Sequence, residues 1–83
     1  MAKKIEWTPQ ARADVRTLDR QTALRLLKAL ARFRLTESGD VKRLEGTNPA
    51  EFRLRIGDYR IRFHDLGDKL QVLRVRHRRE AYR

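Results

Sequence analysis

Arginine supplies most of the chemistry available to this sequence. Two segments, Phe52-Arg53-Leu54-Arg55-Ile56 and Tyr59-Arg60-Ile61-Arg62-Phe63, alternate apolar and basic residues without a break. Successive side chains of a strand point to opposite faces, so Arg53, Arg55, Arg60 and Arg62 are expected on one face. A guanidinium is a planar fork of donors that meets phosphate oxygens two at a time. Like charges on adjacent strands repel, and a bound polyanion relieves that repulsion. A face kept only for solubility would mix signs or use lysine. The segment Val75-Arg76-His77-Arg78-Arg79-Glu80-Ala81-Tyr82-Arg83 adds a phenol, an imidazole and more guanidiniums. Tyr82 suits stacking on an unpaired base, and His77 is a residue type that carries protons in acid–base catalysis.

Other chemistries find little support. His64 and His77 are the only histidines, neither has a partner at helical ligand spacing, and there is no cysteine, so no metal site is expected. Ser38 is the only serine and lies outside any nucleophile motif, and four scattered glycines form no phosphate loop. Carboxylates are too sparse around the basic face for a paired-carboxylate hydrolase. No cofactor is implied.

The charge distribution agrees with a polyanion partner. The 83 residues carry 21 Lys and Arg against 11 Asp and Glu, a formal net charge of +10. Residues 1–51 hold eleven basic and seven acidic residues, whereas residues 52–83 hold ten and four, and nine of those ten are arginine. Net charge of this kind speaks to partners rather than to fold. Nucleic acid leads. A membrane surface is disfavoured by the lack of a basic amphipathic helix with exposed aromatics. No run approaches the roughly 18 apolar residues of a membrane span, and no secretory signal follows Lys3 and Lys4, so a cytoplasmic location is expected.

The elements that must hold these arginines can be read from periodicity. Residues 2–7 read as a short strand. Thr8 and Pro9 are an N-cap and first helical residue, and Ala11, Val15 and Leu18 follow on one face. Asp19 is placed to cap a second helix whose apolar face is Ala23, Leu26, Leu27, Leu30 and Phe33. Ser38-Gly39-Asp40 ends it, with Gly39 as a left-handed cap, and residues 40–51 read as a loop carrying turn signals at Gly46 and Asn48-Pro49. Gly57-Asp58 closes a hairpin of type II′, and a turn near Gly67 leads to a strand from about Lys69 to His77. There Leu70 and Val72 are out of phase with Leu73 and Val75, which requires burial on both faces or a bulge. The expected fold is a small α+β domain over residues 1–83, ordered β-α-α-β-β-β. A two-helix hairpin packs on one face of a mainly antiparallel, twisted sheet. Phe52, Leu54, Ile56, Tyr59, Ile61 and Phe63 face the helices.

The run from Phe52 to Ile61, followed by Val75-Arg76-His77-Arg78-Arg79-Glu80-Ala81-Tyr82, resembles the RelE branch of the RelE/ParE toxin superfamily. Val41-Lys42-Arg43-Leu44-Glu45-Gly46 is similar to that family's Lys/Arg-Leu-x-Gly lead-in, so the resemblance spans essentially the whole chain and implies a RelE-like fold. It implies a toxin that enters the ribosomal A site and cleaves mRNA by metal-free attack of the 2′-hydroxyl on the adjacent phosphate. It also implies an acidic antitoxin that holds the toxin inactive in a hetero-oligomeric complex. Carried over position by position, Arg53 and Arg55 contact the phosphate and nucleophile, and Arg60 stabilises transition-state charge. Arg78 lies near the leaving 5′-oxygen, and Tyr82 orients the base. Arg62, Arg76, His77, Arg79 and Arg83 complete the expected RNA-binding surface.

Two departures stand out. Some relatives have lysine where this chain has Arg53 and Arg55, and arginine does not deprotonate in a protein. The proton then goes to another group, His77 or Glu51, or catalysis rests on electrostatic stabilisation and positioning. The chain also runs only one residue past Tyr82, so the C-terminal helix of some relatives is not expected. Two other readings share the fold: a ParE-like inhibitor of DNA gyrase, and an inert relative that binds only nucleic acid or antitoxin.

Overall fold

The computed structural model describes residues 3–44, 46 and 49–81, apart from the side chains of residues 80 and 81. Their order is β1 (Lys4–Trp7), α1 (Pro9–Arg16), α2 (Arg20–Thr36), β2 (Asp40–Leu44), β3 (Glu51–Ile56), β4 (Tyr59–Asp65), β5 (Lys69–His77) and α3 (Arg78–Ala81). The strands form one five-stranded sheet in the order β1-β5-β4-β3-β2. Only the β1–β5 pairing is parallel. The two-helix layer on a mostly antiparallel sheet is the fold expected from the sequence, with one strand more. The expected strand at residue 2, the turn at Asn48, and Tyr82 and Arg83 lie outside the described residues.

Helix starts follow the expected chemistry. The Thr8 hydroxyl accepts the Ala11 N–H at 3.2 Å with Pro9 behind it, and Asp19 accepts the Thr22 N–H at 3.0 Å. Each supplies an acceptor for a backbone donor that the first turn leaves unpaired. The end of α2 differs from expectation. Glu37, at φ 55°, is the left-handed cap, and its N–H donates to the Phe33 carbonyl at 2.7 Å. Gly39 is needed for a different reason, since a Cβ there would sit 2.9 Å from Leu54 Cδ1.

Residues 40–44, expected as loop, are instead the edge strand β2, paired antiparallel from Asp40↔Arg55 to Leu44↔Glu51. Val41 and Leu44 fall in opposite phases, so the strand has no alternating apolar face and hydrogen-bonds to β3 through its backbone. The β3–β4 hairpin matches expectation. Gly57 lies at φ 57° while Asp58 stays outside the positive-φ region, the pattern of a type II′ turn. The phase conflict in β5 resolves as a bulge, because Arg62 faces Arg74 but Phe63 faces Val72, leaving Leu73 as the extra residue.

The core lies between the helices and one sheet face. Ala11, Leu26, Leu30 and Phe33 meet Leu54, Ile61, Phe63, Leu70, Val72 and Val75 there, all buried. Phe63 takes Phe33 at 5.4 Å and Phe52 at 5.6 Å between ring centroids. On α2 the buried stripe is narrower than expected: Leu27 is 39% exposed. No helix among the described residues is long and apolar enough to cross a membrane. Edge strand β1 is tied down by side chains as well as backbone. Lys69 and Gln71 donate to the two Glu6 carboxylate oxygens at 2.8 and 2.9 Å, and Lys3 donates to Asp65 at 2.7 and 2.8 Å.

Those contacts set an acid limit. Hydrogen bonds from Lys69 and Gln71, then the Lys69 charge, hold the Glu6 carboxyl below its usual range. Burial pushes Asp65 up, but the Lys3 hydrogen bond, the Gly67 N–H and the Lys3 charge outweigh it, leaving that carboxyl lowered. A carboxyl depressed by folding stabilises the protein above its unfolded value, near 4, and loses that contribution as pH falls through the folded value. Thermal melts from about pH 6 to pH 2 should therefore show a falling Tm, steepest below about pH 4. The double variant Glu6→Gln/Asp65→Asn should start lower and fall less; parallel curves would contradict this linkage.

Candidate nucleic-acid interface

The strand register sorts the polar face of the sheet into rungs. The outer rung, beside the Gly57-Asp58 turn, runs Asp40–Arg55–Arg60–Arg76 across β2, β3, β4 and β5. The middle rung runs Lys42–Arg53–Arg62–Arg74. The third runs Leu44–Glu51–His64–Gln71–Glu6 and ends on β1. Arg53, Arg55, Arg60 and Arg62 therefore share a face, as the alternation predicts, with Arg55 opposite Arg60 and Arg53 opposite Arg62. Arg76 joins them through β5. Two unit charges about 5 Å apart in water repel by about 0.8 kcal/mol.

The rungs are not equally neutralised. In the third, the Glu51 carboxylate is buried, with His64 Nε2 3.9 Å from one oxygen. His64 Nδ1 lies 3.4 Å from Gln71 Oε1, and Gln71 donates onward to Glu6. This polar chain crosses four strands, and its two carboxylates, Glu51 and Glu6, are neutralised by Arg62 and Lys69 rather than from within it. In the middle rung Arg62 Nε donates to Glu51 at 2.8 Å, and Asp14 of α1 takes Arg74 Nε at 2.9 Å and Nη2 at 3.1 Å. Asp14 also accepts the Val75 N–H at 2.9 Å, and the Thr8 hydroxyl donates to the Leu73 carbonyl at 3.1 Å. Helix α1 thus closes the edge of β5 beyond the end of β1. Arg53, Arg55 and Arg76 have no carboxylate within 4 Å among the described residues.

The segment after β5 is anchored at the same end as the outer rung. The Arg78 N–H donates to the Asp58 carbonyl at 2.6 Å, tying the start of α3 to the hairpin tip. His77 pairs with Tyr59 in register and packs edge-on against it, ring centroids 5.2 Å apart. Its Nδ1 accepts the Arg79 N–H at 3.2 Å and so caps α3. Asp58, His77, Arg78 and Arg79 line a shallow polar depression of about 560 Å³. The one-turn helix α3 itself was not expected from the sequence.

Among the residues singled out in the sequence, the structure brings Arg53, Arg55, Arg60, Arg62 and Arg76 onto one face and sets Arg78 and Arg79 beside its hairpin end. His77, expected on the same surface, is instead in register with Tyr59 and turns its ring to the opposite face. Neither alternative proton acceptor has a free carboxylate or ring. Glu51 holds Arg62, and the accepting nitrogen of His77, Nδ1, is occupied as a cap. Sequence reasoning missed Lys42, which lies on the unrecognised strand β2. It also missed Asp14 and the Glu51–His64–Gln71–Glu6 chain, whose partners are about 60 residues apart or set by register. No group of His, Asp and Glu among the described residues is arranged to hold a metal ion.

The sequence model of the family described as the ParE toxin of type II toxin–antitoxin systems, parDE, matches residues 5–82. Solved structures share the fold. The toxin of the archaeal RelE–RelB complex from Pyrococcus horikoshii is 24% identical with a TM-score of 0.76, covering 94% of this chain and 97% of that one. A RelB–RelE antitoxin–toxin complex from Methanococcus jannaschii gives 21% identity, a TM-score of 0.75, and coverage of 93% and 94%. The toxin–antitoxin complex RelBE2 from Mycobacterium tuberculosis gives 25% identity, a TM-score of 0.69, and coverage of 93% and 99%. No curated protein matches the chain.

Proposed function

Because the chain belongs to the ParE toxin family and is the toxin of a type II toxin–antitoxin system, we propose that it is a ribosome-dependent endoribonuclease that cuts mRNA in the A site. The observation that carries this reading is the outer arginine rung with Arg53 beside it, next to the anchored start of α3. A surface built this way suits a chain of phosphates bent around one scissile bond.

In the proposed reaction the RNA 2′-oxygen attacks the adjacent phosphorus, the bond to the 5′-oxygen breaks, and a 2′,3′-cyclic phosphate forms. The 2′-hydroxyl proton passes to solvent water, and the leaving 5′-oxygen takes one up from water. Arg53 and Arg55 hold the phosphate and the attacking group, and Arg60 meets the charge that grows on the phosphoryl oxygens. Arg78 sits by the leaving oxygen. Tyr82, which lies outside the described residues, takes the base. Arginine does not act as a base, so the rate enhancement comes from charge stabilisation and from the ribosome's alignment of the substrate. An acidic antitoxin fits the same account, since it would neutralise the +10 surface while ordering on the toxin. The solved neighbours are toxin–antitoxin complexes, which supports an antitoxin partner.

The family match also favours a second reading, a ParE-like gyrase inhibitor on the same scaffold. Translating ribosomes given this protein should yield mRNA cut within the A-site codon. Intact mRNA together with inhibited supercoiling by gyrase would overturn the nuclease in favour of the second reading. Arg78→Ala should lower the single-turnover cleavage rate by about 10²–10³-fold, the usual loss for one donor aimed at developing charge, with ribosome binding retained. Equal losses in binding and rate would make Arg78 a docking residue.

A further inference from the structure

The middle rung contains an arginine whose inner donors are already taken. Arg62 sends Nε and Nη2 to the same Glu51 oxygen, at 2.8 and 2.5 Å. The Glu51 side chain is 8% exposed and that of Arg62 is 50% exposed. A carboxylate removed from water requires a cationic partner with good hydrogen-bond geometry. The pair is therefore fixed in the sheet rather than being an incidental surface contact of two mobile side chains. Its net charge is zero, and a phosphate approaching Arg62 meets the Glu51 charge directly behind it.

We propose that Glu51 is a positioning residue that withholds Arg62 from phosphate and thereby sets how many guanidiniums this face offers to a polyanion. With Arg74 held by Asp14 in the same way, the middle rung keeps Arg53 as its uncommitted guanidinium. Arg53 stands two residues from Arg55 on β3, and Arg76 completes the outer rung. The two ion pairs gather the free positive charge at the hairpin end, where Arg78 starts α3, and leave the third rung neutral. A phosphate chain is so directed toward one end of the sheet instead of lying anywhere on it. The inference rests on the reading of this face as a phosphate-binding surface.

The test is the salt dependence of binding to a fluorescently labelled oligouridylate, without ribosomes, followed by anisotropy. Each phosphate contact on a single strand contributes about −0.7 to the slope of log K against log salt. Glu51→Gln should bind more tightly at low salt and steepen the slope by about 0.7, because Arg62 is released. Glu51→Gln/Arg62→Gln should return to the wild-type slope. Arg53→Gln should flatten the slope by about 0.7. Glu37→Gln, which removes an exposed acid from the end of α2, should leave it unchanged, separating the local effect from net charge. An unchanged or flatter slope for Glu51→Gln alongside a salt-dependent wild type would overturn this inference alone. A wild type without salt-dependent binding would overturn this inference through its premise of a phosphate-binding face, while the cleavage assay on translating ribosomes decides the proposed function separately. A measurement on the unsubstituted protein guards against loss of folding. On titration with the oligonucleotide, the Nε–H NMR signals of Arg53 and Arg55 should shift and that of Arg62 should stay in place. Movement of the Arg62 signal along with theirs would overturn the proposal.

Discussion

The two-residue turn at Gly57-Asp58 is the constraint on which the polar face depends. A tight type II′ turn fixes the register of β3 on β4, and the register decides that Arg55 stands opposite Arg60 and Arg53 opposite Arg62. A slip of one residue would turn every arginine into the core and every apolar residue out of it. The register is also held from the other side, where Leu54 and Ile61 are directly opposed and buried. Burying each of these side chains contributes about 1.5–3 kcal/mol, an upper figure given a compact unfolded state. One like-charge arginine pair in water costs about 0.8 kcal/mol and less in salt. The apolar face therefore enforces an arrangement that the polar face alone would oppose; Glu51 relieves it at Arg62, and an incoming anion can relieve it at Arg53 and Arg55.

Carboxylates then divide the face. Glu51 on β3 and Asp14 on α1 are each spent on one arginine of the middle rung, and Glu6 and Asp65 secure the β1 side. Arg53, Arg55 and Arg76, with no carboxylate within 4 Å among the described residues, remain for a ligand, with α3 pinned to the hairpin tip beside them. Helix α1 has a double role here, since Thr8 and Asp14 serve both the helix and the edge of β5. The bulge at Leu73 is what separates the run of β5 that pairs with β1 from the run that faces α1.

Alternation made the central hairpin legible in the sequence, because a period of two with a glycine turn has few other solutions. The shared arginine face and the two helix caps followed from the same local rules. Strand β2 was not legible: it is a polar edge whose pairing is made by backbone groups, and backbone groups leave no pattern in residue type. Glu37 as the left-handed cap was equally hidden, since glycine is the usual choice and Gly39 stood two residues away. The Asp14–Arg74 and Glu51–Arg62 pairs depend on the bulge and on register, which single residues do not announce. Tyr82, central to the resemblance, lies outside the described residues, so its role rests on sequence alone.

The central claim is that cross-strand arginine repulsion makes this face a phosphate site. The most direct measurement is the change in Tm on adding tripolyphosphate, against chloride at matched ionic strength, for the wild type and Arg53→Gln/Arg55→Gln. At ten times its Kd a ligand bound only by the native state contributes about 1.4 kcal/mol, worth several degrees in a domain of this size. The account predicts that the wild type gains those degrees, and that the variant melts higher than the wild type without the anion and gains little with it. An equal gain in both proteins would contradict it.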